Sequence, residues 1–442
     1  MVGTKKFDWA ILAGGLGTRM KGFDDQKPKS LMIVNGKTIL EQQIDILDKN
    51  GVGEIHLLLG YRAQQIIDFV KSLPINQSIK INFHIDESPL GTGGALLQLL
   101  KNSPKEIGVS HGDLYIDTDI LQFVEEVSNS DFDWGQIVHP STHIFDSDLI
   151  VMNESSQIVN YVLKPHGNNL ESRNLTNAGV YFFKTNFINA TLKIFGGVDY
   201  TFDLDRDLLP RLLTFGLKGY GYEDIGTCLD VGTPERISNF NVWFKLNPFR
   251  GKVRPMVFMD RDGVINEDTG WISSANDLKI YSDVPSSIAK LNNLGIRVVV
   301  ITNQPVVARG DISLEELSKL HIHFENLLAE NSAFVDAIYF CPHHPEKGFP
   351  KEVVSLKRKC SCRKPEVGLF LEALEKFPTD LSRTFMIGDS WRDERAAQKL
   401  GISFLPIRNF LQENQEEAKI QNLCFKNLES AVDHIIKVLK TS

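Results

Sequence analysis

Two α/β domains in tandem, each a mainly parallel sheet flanked by helices, are what this sequence predicts, and three observations predict them. Strand-length apolar runs alternate with helical periodicity from Trp9 onward, and the same alternation starts afresh at Val257. Between the two, Trp243 to Pro255 is basic and turn-rich, with Asn247-Pro248, Arg250-Gly251-Lys252 and Arg254-Pro255 and no sustained period. The chain has 442 residues, more than one ordinary core organises. The predicted division is a first domain over 1–245, a linker over 246–254 and a second domain over 255–442.

The elements follow in order. Trp9 to Ala13 reads as a buried strand entering a glycine loop. Thr38 is placed to cap a helix whose Ile39, Leu40, Ile44 and Leu47 share one face, and Gly51 stops it. Glu54 to Leu59 reads as a second strand, and Ile79, Ile81, Phe83 and Ile85 alternate as a third. Helical patterns lie at Ala63 to Leu73 and Ala95 to Leu100, and Ile107 to Ser110 is strand-like. In the second half, strands are expected at Val257 to Met259, Arg297 to Ile301 and Phe385 to Ile387, with a helix around Ile288 to Leu294. Leu428, Val432, Ile435, Ile436 and Leu439 mark a closing amphipathic helix.

Composition bounds the function. Hydrophobic residues make up 42% and charged residues 24%, as in a soluble globular protein. A net charge of −8 argues against a nucleic-acid partner, which calls for a basic face. Met1 to Trp9 lacks the apolar core of a signal peptide, and no apolar stretch approaches the roughly 20 residues that span a bilayer. The expectation is a cytoplasmic enzyme of small molecules. Five cysteines are too few for a disulfide framework, yet Cys341, Cys360 and Cys362 cluster.

The first glycine loop is Leu12-Ala13-Gly14-Gly15-Leu16-Gly17-Thr18-Arg19. Between strand and helix, such a loop lets backbone N–H groups approach a triphosphate, and Arg19 adds a bidentate contact. Pro28-Lys29 follows, then Pro89-Leu90-Gly91-Thr92-Gly93-Gly94-Ala95, Gly112-Asp113, Lys164-Pro165, Asn177-Ala178-Gly179 and Asp230-Val231-Gly232-Thr233-Pro234-Glu235. This ordered set resembles the sugar-1-phosphate nucleotidyltransferase family, of Rossmann-like fold. The resemblance implies that Leu12, Ala13, Gly14, Gly15, Gly17, Thr18, Gly91 and Gly93 bind the nucleotide, with Gly91, Gly93 and Gly94 leaving room for base and ribose. It makes Asp113 and Asp230 the holders of Mg²⁺ and Arg19 and Lys29 the catalytic cations. Lys164 takes the incoming sugar's phosphate, with Asn177, Gly179 and Asp205 lining the sugar. Asp205-Arg206-Asp207 departs from the family's Glu-Lys-Asp, a shorter reach toward a sugar hydroxyl.

In the second half, Asp260-Arg261-Asp262-Gly263 ends a strand, and carboxylates two apart there project to one side, able to share a metal and a phosphate. Ile301-Thr302-Asn303-Gln304, Arg363-Lys364-Pro365 and Ile387-Gly388-Asp389-Ser390 with Asp393 complete a series that resembles the haloacid dehalogenase (HAD) superfamily of phosphatases. The resemblance implies that Asp260 is the nucleophile and Asp262 the acid/base. Thr302, Asn303, Arg363 and Lys364 then bind phosphate and substrate. Mg²⁺ lies on Asp260, Asp389 and the Asp262 carbonyl, and Asp393 stands behind them.

Cys341-x-His343 with Cys360-x-Cys362 offers three thiolates and an imidazole, a closed shell that suits structural Zn²⁺; His344 competes as a ligand. The loop between them has little apolar material, so a metal would supply its stability. Cys-Pro-His-His-Pro, Cys-x-Cys-Arg-Lys-Pro and Ala308-Arg309-Gly310 narrow the resemblance to heptose bisphosphate phosphatases and, less closely, histidinol-phosphate phosphatases. Pro305-Val306 and Ser390 depart from that pattern. A 7-phosphatase releases a heptose 1-phosphate and a transferase of the first kind consumes a sugar 1-phosphate. The expected partners are therefore heptose phosphates and a nucleoside triphosphate, GTP by analogy. A mannose-1-phosphate transferase joined to another phosphatase, and a sugar-nucleotide sensor without turnover, stay open as alternatives.

Overall fold

The computed structural model describes residues 7–15, 27–74, 79–102, 106–142, 144–166, 172–197, 201–224, 226–246, 253–270, 272, 274–408 and 424–441. They form two compact units. The first comprises residues 1–139, 147–164 and 175–246, and the second 247–442 together with 140–146 and 165–174. Two short stretches of the first half thus group with the second unit, which a single cut in the sequence does not foresee. Most of the expected linker lies outside the described residues.

The first unit is built on strands β1 (Asp8–Leu12), β4 (Glu54–Leu59), β5 (Lys80–Ile85), β6 (Ile107–His111), β8 (Trp134–His139), β9 (Leu149–Met152), β10 (Gln157–Val162), β11 (Thr176–Phe183) and β12 (Gly219–Glu223). A hairpin of β2 (Ile33–Val34) and β3 (Lys37–Thr38) and a ribbon of β7 (Leu114–Asp117) and β13 (Thr227–Asp230) stand apart from it. The order in the large sheet is β5-β4-β1-β6-β11-β8-β12-β10-β9. β5, β4, β1 and β6 are mutually parallel, as the alternating pattern predicts. β11 then enters antiparallel to both β6 and β8, so this sheet is mixed beyond its first four strands. The strand–helix alternation that signals parallel pairing ends where β8 to β11 follow one another with little helix between.

Local chemistry explains the elements seen in advance. The helix Ile39–Lys49 begins where the Thr38 hydroxyl accepts from the Glu41 N–H at 3.1 Å, and it buries Ile39, Leu40, Ile44 and Leu47. The helix expected at Ala95 starts earlier, at Gly91. Its first turn holds three glycines, which propensity alone disfavours, and tertiary packing overrides that.

The second unit has a five-stranded, wholly parallel sheet of β14 (Met256–Met259), β15 (Arg297–Asn303), β16 (Ala337–Cys341), β17 (Thr384–Gly388) and β18 (Ser403–Pro406) in the order β16-β15-β14-β17-β18. All four residues of β14 are buried, as a central strand covered on both faces requires. The chain winds from β14 to one side through β15 and β16, then returns to β17 and β18 on the other. The carboxyl end of β14 is therefore the switch point where such sheets bind ligands, and Asp260 occupies it.

Candidate active sites

In the second unit, Asp260 leaves β14 with its N–H bonded to the Ile387 carbonyl at 3.1 Å. Lys364 Nζ lies 2.8 Å from Asp260 Oδ2 and 2.7 Å from Asp393 Oδ1. The Lys364 and Asp393 side chains are 2% and 0% exposed. Charges so deeply buried persist only when paired, so the lysine between two carboxylates is a preassembled unit. Asp393, expected to stand behind the metal, is part of it; its Oδ2 also accepts from the Ser390 hydroxyl at 2.7 Å. Burial pushes the Asp260 carboxyl up to about 7, against the pull of Lys364 and with the help of Asp393 and Asp262.

Carboxylate oxygens of Asp260, Asp389 and Asp393 lie within 4.8 Å of one another, a group able to hold a cation. Gly263 makes room for it: at φ +80°, a Cβ there would stand 1.8 Å from Asp389 Oδ2. The Asp262 side chain does not join this group, contrary to the expectation that both carboxylates face one way. Its Oδ1 accepts from Arg261 Nη2 at 2.9 Å and Asn266 Nδ2 at 3.0 Å, and its Oδ2 from Gln304 Nε2 at 2.8 Å. The physical reason is the Arg261 guanidinium, 1% exposed, which needs a carboxylate. Burial disfavours the Asp262 charge, but Arg261, Asn266 and Gln304 outweigh it and hold the acid below its ordinary range.

Thr302 is fully buried at the end of β15, its hydroxyl accepting from Gln304 Nε2 at 2.9 Å. Asn303 turns instead to the backbone of Lys364: its Nδ2 donates to the Lys364 carbonyl at 3.2 Å and its Oδ1 accepts from the Lys364 N–H at 3.0 Å. It positions the lysine. Arg363 donates to the His343 carbonyl at 3.2 Å.

The four proposed zinc ligands come together. Cys341, Cys360 and Cys362 sulfurs are 3.2 to 3.6 Å apart, and His343 Nδ1 lies 3.7 Å from Cys341 Sγ and 3.2 Å from Cys362 Sγ. The four ligand atoms lie within 4.8 Å of one another, a group able to hold a metal ion, and three thiolates with one imidazole are the chemistry that suits zinc. His344 is no competitor: its Nδ1 faces the Glu346 carbonyl at 3.4 Å and its ring meets Phe349 edge-on.

In the first unit the ribbon brings distant acids together. β13 pairs antiparallel with β7, Asp230 opposite Leu114, and the Val231 N–H donates to the Asp113 carbonyl at 3.1 Å. A Cβ on Gly232 would lie 2.7 Å from Asp113 Oδ2, 2.9 Å from Asp230 Oδ1 and 3.4 Å from Lys29 Nζ. Both carboxylates and the lysine thus converge on one spot, a pair suited to a divalent cation and a cation suited to phosphate. Arg236, which the sequence reading passed over, holds the other Asp230 oxygen.

The glycine loop leaves β1 with the Ala13 N–H on the Leu58 carbonyl and the Gly112 N–H on the Leu12 carbonyl, both at 2.9 Å. Gly14 packs against Gly60, while a Cβ on Gly15 would meet nothing within 4 Å. Gly17, Thr18 and Arg19 lie outside the described residues. Gly91 and Gly93 pack against Phe202. A Cβ would stand 2.3 Å from the Phe202 carbonyl at Gly91 and 2.5 Å from the Phe202 ring at Gly93, and Gly94 faces Leu90.

Asp205 is engaged internally. Asn177 Nδ2 donates to its Oδ1 at 2.7 Å, the Tyr181 hydroxyl donates to the same oxygen, and His111 Nε2 lies 3.4 Å from its Oδ2. Burial opposes the His111 charge, but Asp205, then Asp113 and Asp203, carry its affinity up to about 9. His111 adjoins Gly112-Asp113 and could have been read from that position. Gly179 donates its N–H to Asn177 Oδ1 at 2.9 Å. Lys164 is tied by its backbone, its N–H donating to Asp148 Oδ1 at 2.8 Å and its carbonyl accepting from Arg206.

A nucleotidyl transferase family model matches residues 10–243, which contain both acids, Lys29 and the glycine loop. The chain belongs to that family. A HAD-hydrolase-like model matches residues 361–428. The D-glycero-beta-D-manno-heptose-1,7-bisphosphate 7-phosphatase of Vibrio cholerae is 38% identical over 34% of this chain and 78% of its own length. That of Photorhabdus laumondii is 35% identical over 39% of this chain and 91% of its own. The second half therefore belongs to the heptose bisphosphate phosphatase family. Among solved structures, HddC from Yersinia pseudotuberculosis with GMP-PN is 27% identical, covering 54% of this chain and 99% of that one with a TM-score of 0.46. This nucleotidyl transferase and phosphatase is a bifunctional sugar-phosphate enzyme. No helix among the described residues is long and apolar enough to cross a membrane.

Proposed function

We propose that the second unit removes the 7-phosphate of D-glycero-D-manno-heptose 1,7-bisphosphate and that the first transfers GMP from GTP to the resulting heptose 1-phosphate, releasing pyrophosphate. The observation that carries the reading is one chain holding both constellations. Asp260 is paired with Lys364 at 2.8 Å beside Asp389, and Asp113, Asp230 and Lys29 converge around Gly232.

In the phosphatase, an Asp260 oxygen attacks phosphorus, the P–O bond to C7 breaks, and Asp262 gives its proton to the departing sugar oxygen. Asp262 takes up that proton from solvent as the phosphate dianion arrives and raises its proton affinity. Water then attacks the aspartyl phosphate, Asp262 takes a water proton, and phosphate leaves. Lys364 and Thr302 hold the phosphoryl oxygens throughout. In the transferase, the sugar phosphate oxygen attacks the α-phosphorus of GTP while Lys29 and Arg19 take up charge on the pyrophosphate. Asp260, Asp389 and the Asp262 carbonyl in one unit and Asp113 and Asp230 in the other would hold Mg²⁺, which would supply charge neutralisation. Cys341, His343, Cys360 and Cys362 would hold zinc, which would fix the loop beside the phosphatase site.

Incubation with Mg²⁺, GTP and either anomer of the bisphosphate is the test. The expected products from one anomer are phosphate, pyrophosphate and a GDP-heptose. Phosphate without nucleotide-sugar across all four nucleotides would overturn the coupled reading. Metal analysis of protein purified without chelator is expected to give about one zinc per chain; substantially less removes the zinc assignment.

A further inference from the structure

Within Thr302-Asn303-Gln304, Thr302 and Asn303 have roles at the proposed phosphatase site, and Gln304 has none. It is nonetheless 2% exposed, with both hydrogens of its amide in use. Nε2 donates to Asp262 Oδ2 at 2.8 Å and to Thr302 Oγ1 at 2.9 Å. The opposite amide orientation would set a carbonyl oxygen against a carboxylate oxygen, so Asp262 itself fixes which way the group points. The Gln304 backbone is pinned as well, its N–H donating to the Cys341 carbonyl at 2.8 Å, at the first residue of the metal cluster.

We infer that Gln304 is a positioning residue that sets the acid/base Asp262 and the phosphate-gripping Thr302 in register through one amide. Because the Thr302 oxygen accepts from Gln304, its hydroxyl hydrogen is left to point elsewhere, toward a phosphoryl oxygen. Because Asp262 Oδ2 accepts from Gln304 Nε2 at 2.8 Å as well as from Arg261 Nη2 at 3.1 Å, the carboxyl is held from two sides just beyond β14. The inference rests on the phosphatase reading and extends it to a residue two positions beyond the phosphate grip.

The discriminating variable is the leaving group. An alkoxide departs only with a proton delivered to it, whereas a nitrophenolate departs without one. Gln304→Met in the full chain is expected to lower the single-turnover rate of phosphoryl transfer from a heptose bisphosphate to the enzyme by about 100-fold while lowering that from para-nitrophenyl phosphate less than about fivefold. Equal losses on both substrates in a variant that melts like the parent, or no loss on either, would overturn the inference. If Gln304→Met melts early, Gln304→Glu carries the same comparison, since it keeps the shape and turns a donor into an acceptor; the same split is expected and its absence is equally decisive. The parent chain separates the two levels of the reading. If it cleaves para-nitrophenyl phosphate and fructose 1,6-bisphosphate but no heptose bisphosphate, the substrate assignment fails, and the Gln304 comparison proceeds on the fructose ester.

Discussion

The two sites solve the same problem, placing cations and carboxylates around a phosphate, at opposite levels of burial. At the transferase site, Lys29 lies 3.7 Å from Asp113 and the side chains are 21% and 29% exposed, with Asp230 at 41%. At the phosphatase site, Lys364 is locked between two acids at 2.8 and 2.7 Å and is 2% exposed. On the proposed reading the first site admits a triphosphate, a metal and a sugar, which accords with charges left in water until they arrive. With Asp260 as the proposed nucleophile, the phosphatase site is built in advance, because the lysine neutralises the acids that burial would otherwise destabilise.

The sharpest way to break that comparison is at the nucleophile. Asp260→Asn is expected to lower phosphate release at least about 10⁴-fold while nucleotidyl transfer to supplied heptose 1-phosphate stays within about twofold of the parent; loss of both would mean the sites are not independent. Asp113→Asn should do the reverse, cutting transfer about 10²- to 10³-fold, as loss of a charge-stabilising group does, with phosphate release untouched.

Stability should separate the sites as well. Lys364→Met strands two buried carboxylates and is expected to destabilise the phosphatase unit by about 3–5 kcal/mol. Lys29→Met removes a looser, hydrated pair and should cost about 0–1 kcal/mol. Denaturant unfolding of the two variants measures the contrast, and equal costs would contradict the difference in burial.

A further contrast concerns pH. His321 is buried beside Arg261, 3.4 Å away, and burial together with that guanidinium lowers its affinity to about 3. The folded form thus refuses a proton that the unfolded chain binds near pH 6.5. Its contribution is present above that pH and is lost as pH falls toward 3, by up to about 1.4 kcal/mol per unit. His321→Gln should flatten the decline in melting temperature of the phosphatase unit between pH 7 and 5; an unchanged slope would assign that acid sensitivity to other groups.

The sequence by itself determined the chemistry and the strands that deliver it. Asp260, Thr302 and Asp389 follow buried apolar runs, and the glycine loop follows another, so the position of each at a strand end is a local fact of periodicity. The cysteine and histidine spacing likewise pointed to four side chains that come together. Tertiary structure alone decided which groups meet. Asp113 and Asp230 converge because β7 and β13 pair across a long separation. Gly91 and Gly93 are glycines because Phe202 arrives from over a hundred residues away, and His111 and Tyr181 acquire a partner only when Asp205 folds onto them. Asp262 turns to Arg261 and Gln304 since a buried guanidinium must find a carboxylate. Periodicity reports which face a side chain takes; hydrogen-bond partners depend on distant neighbours that no local pattern encodes.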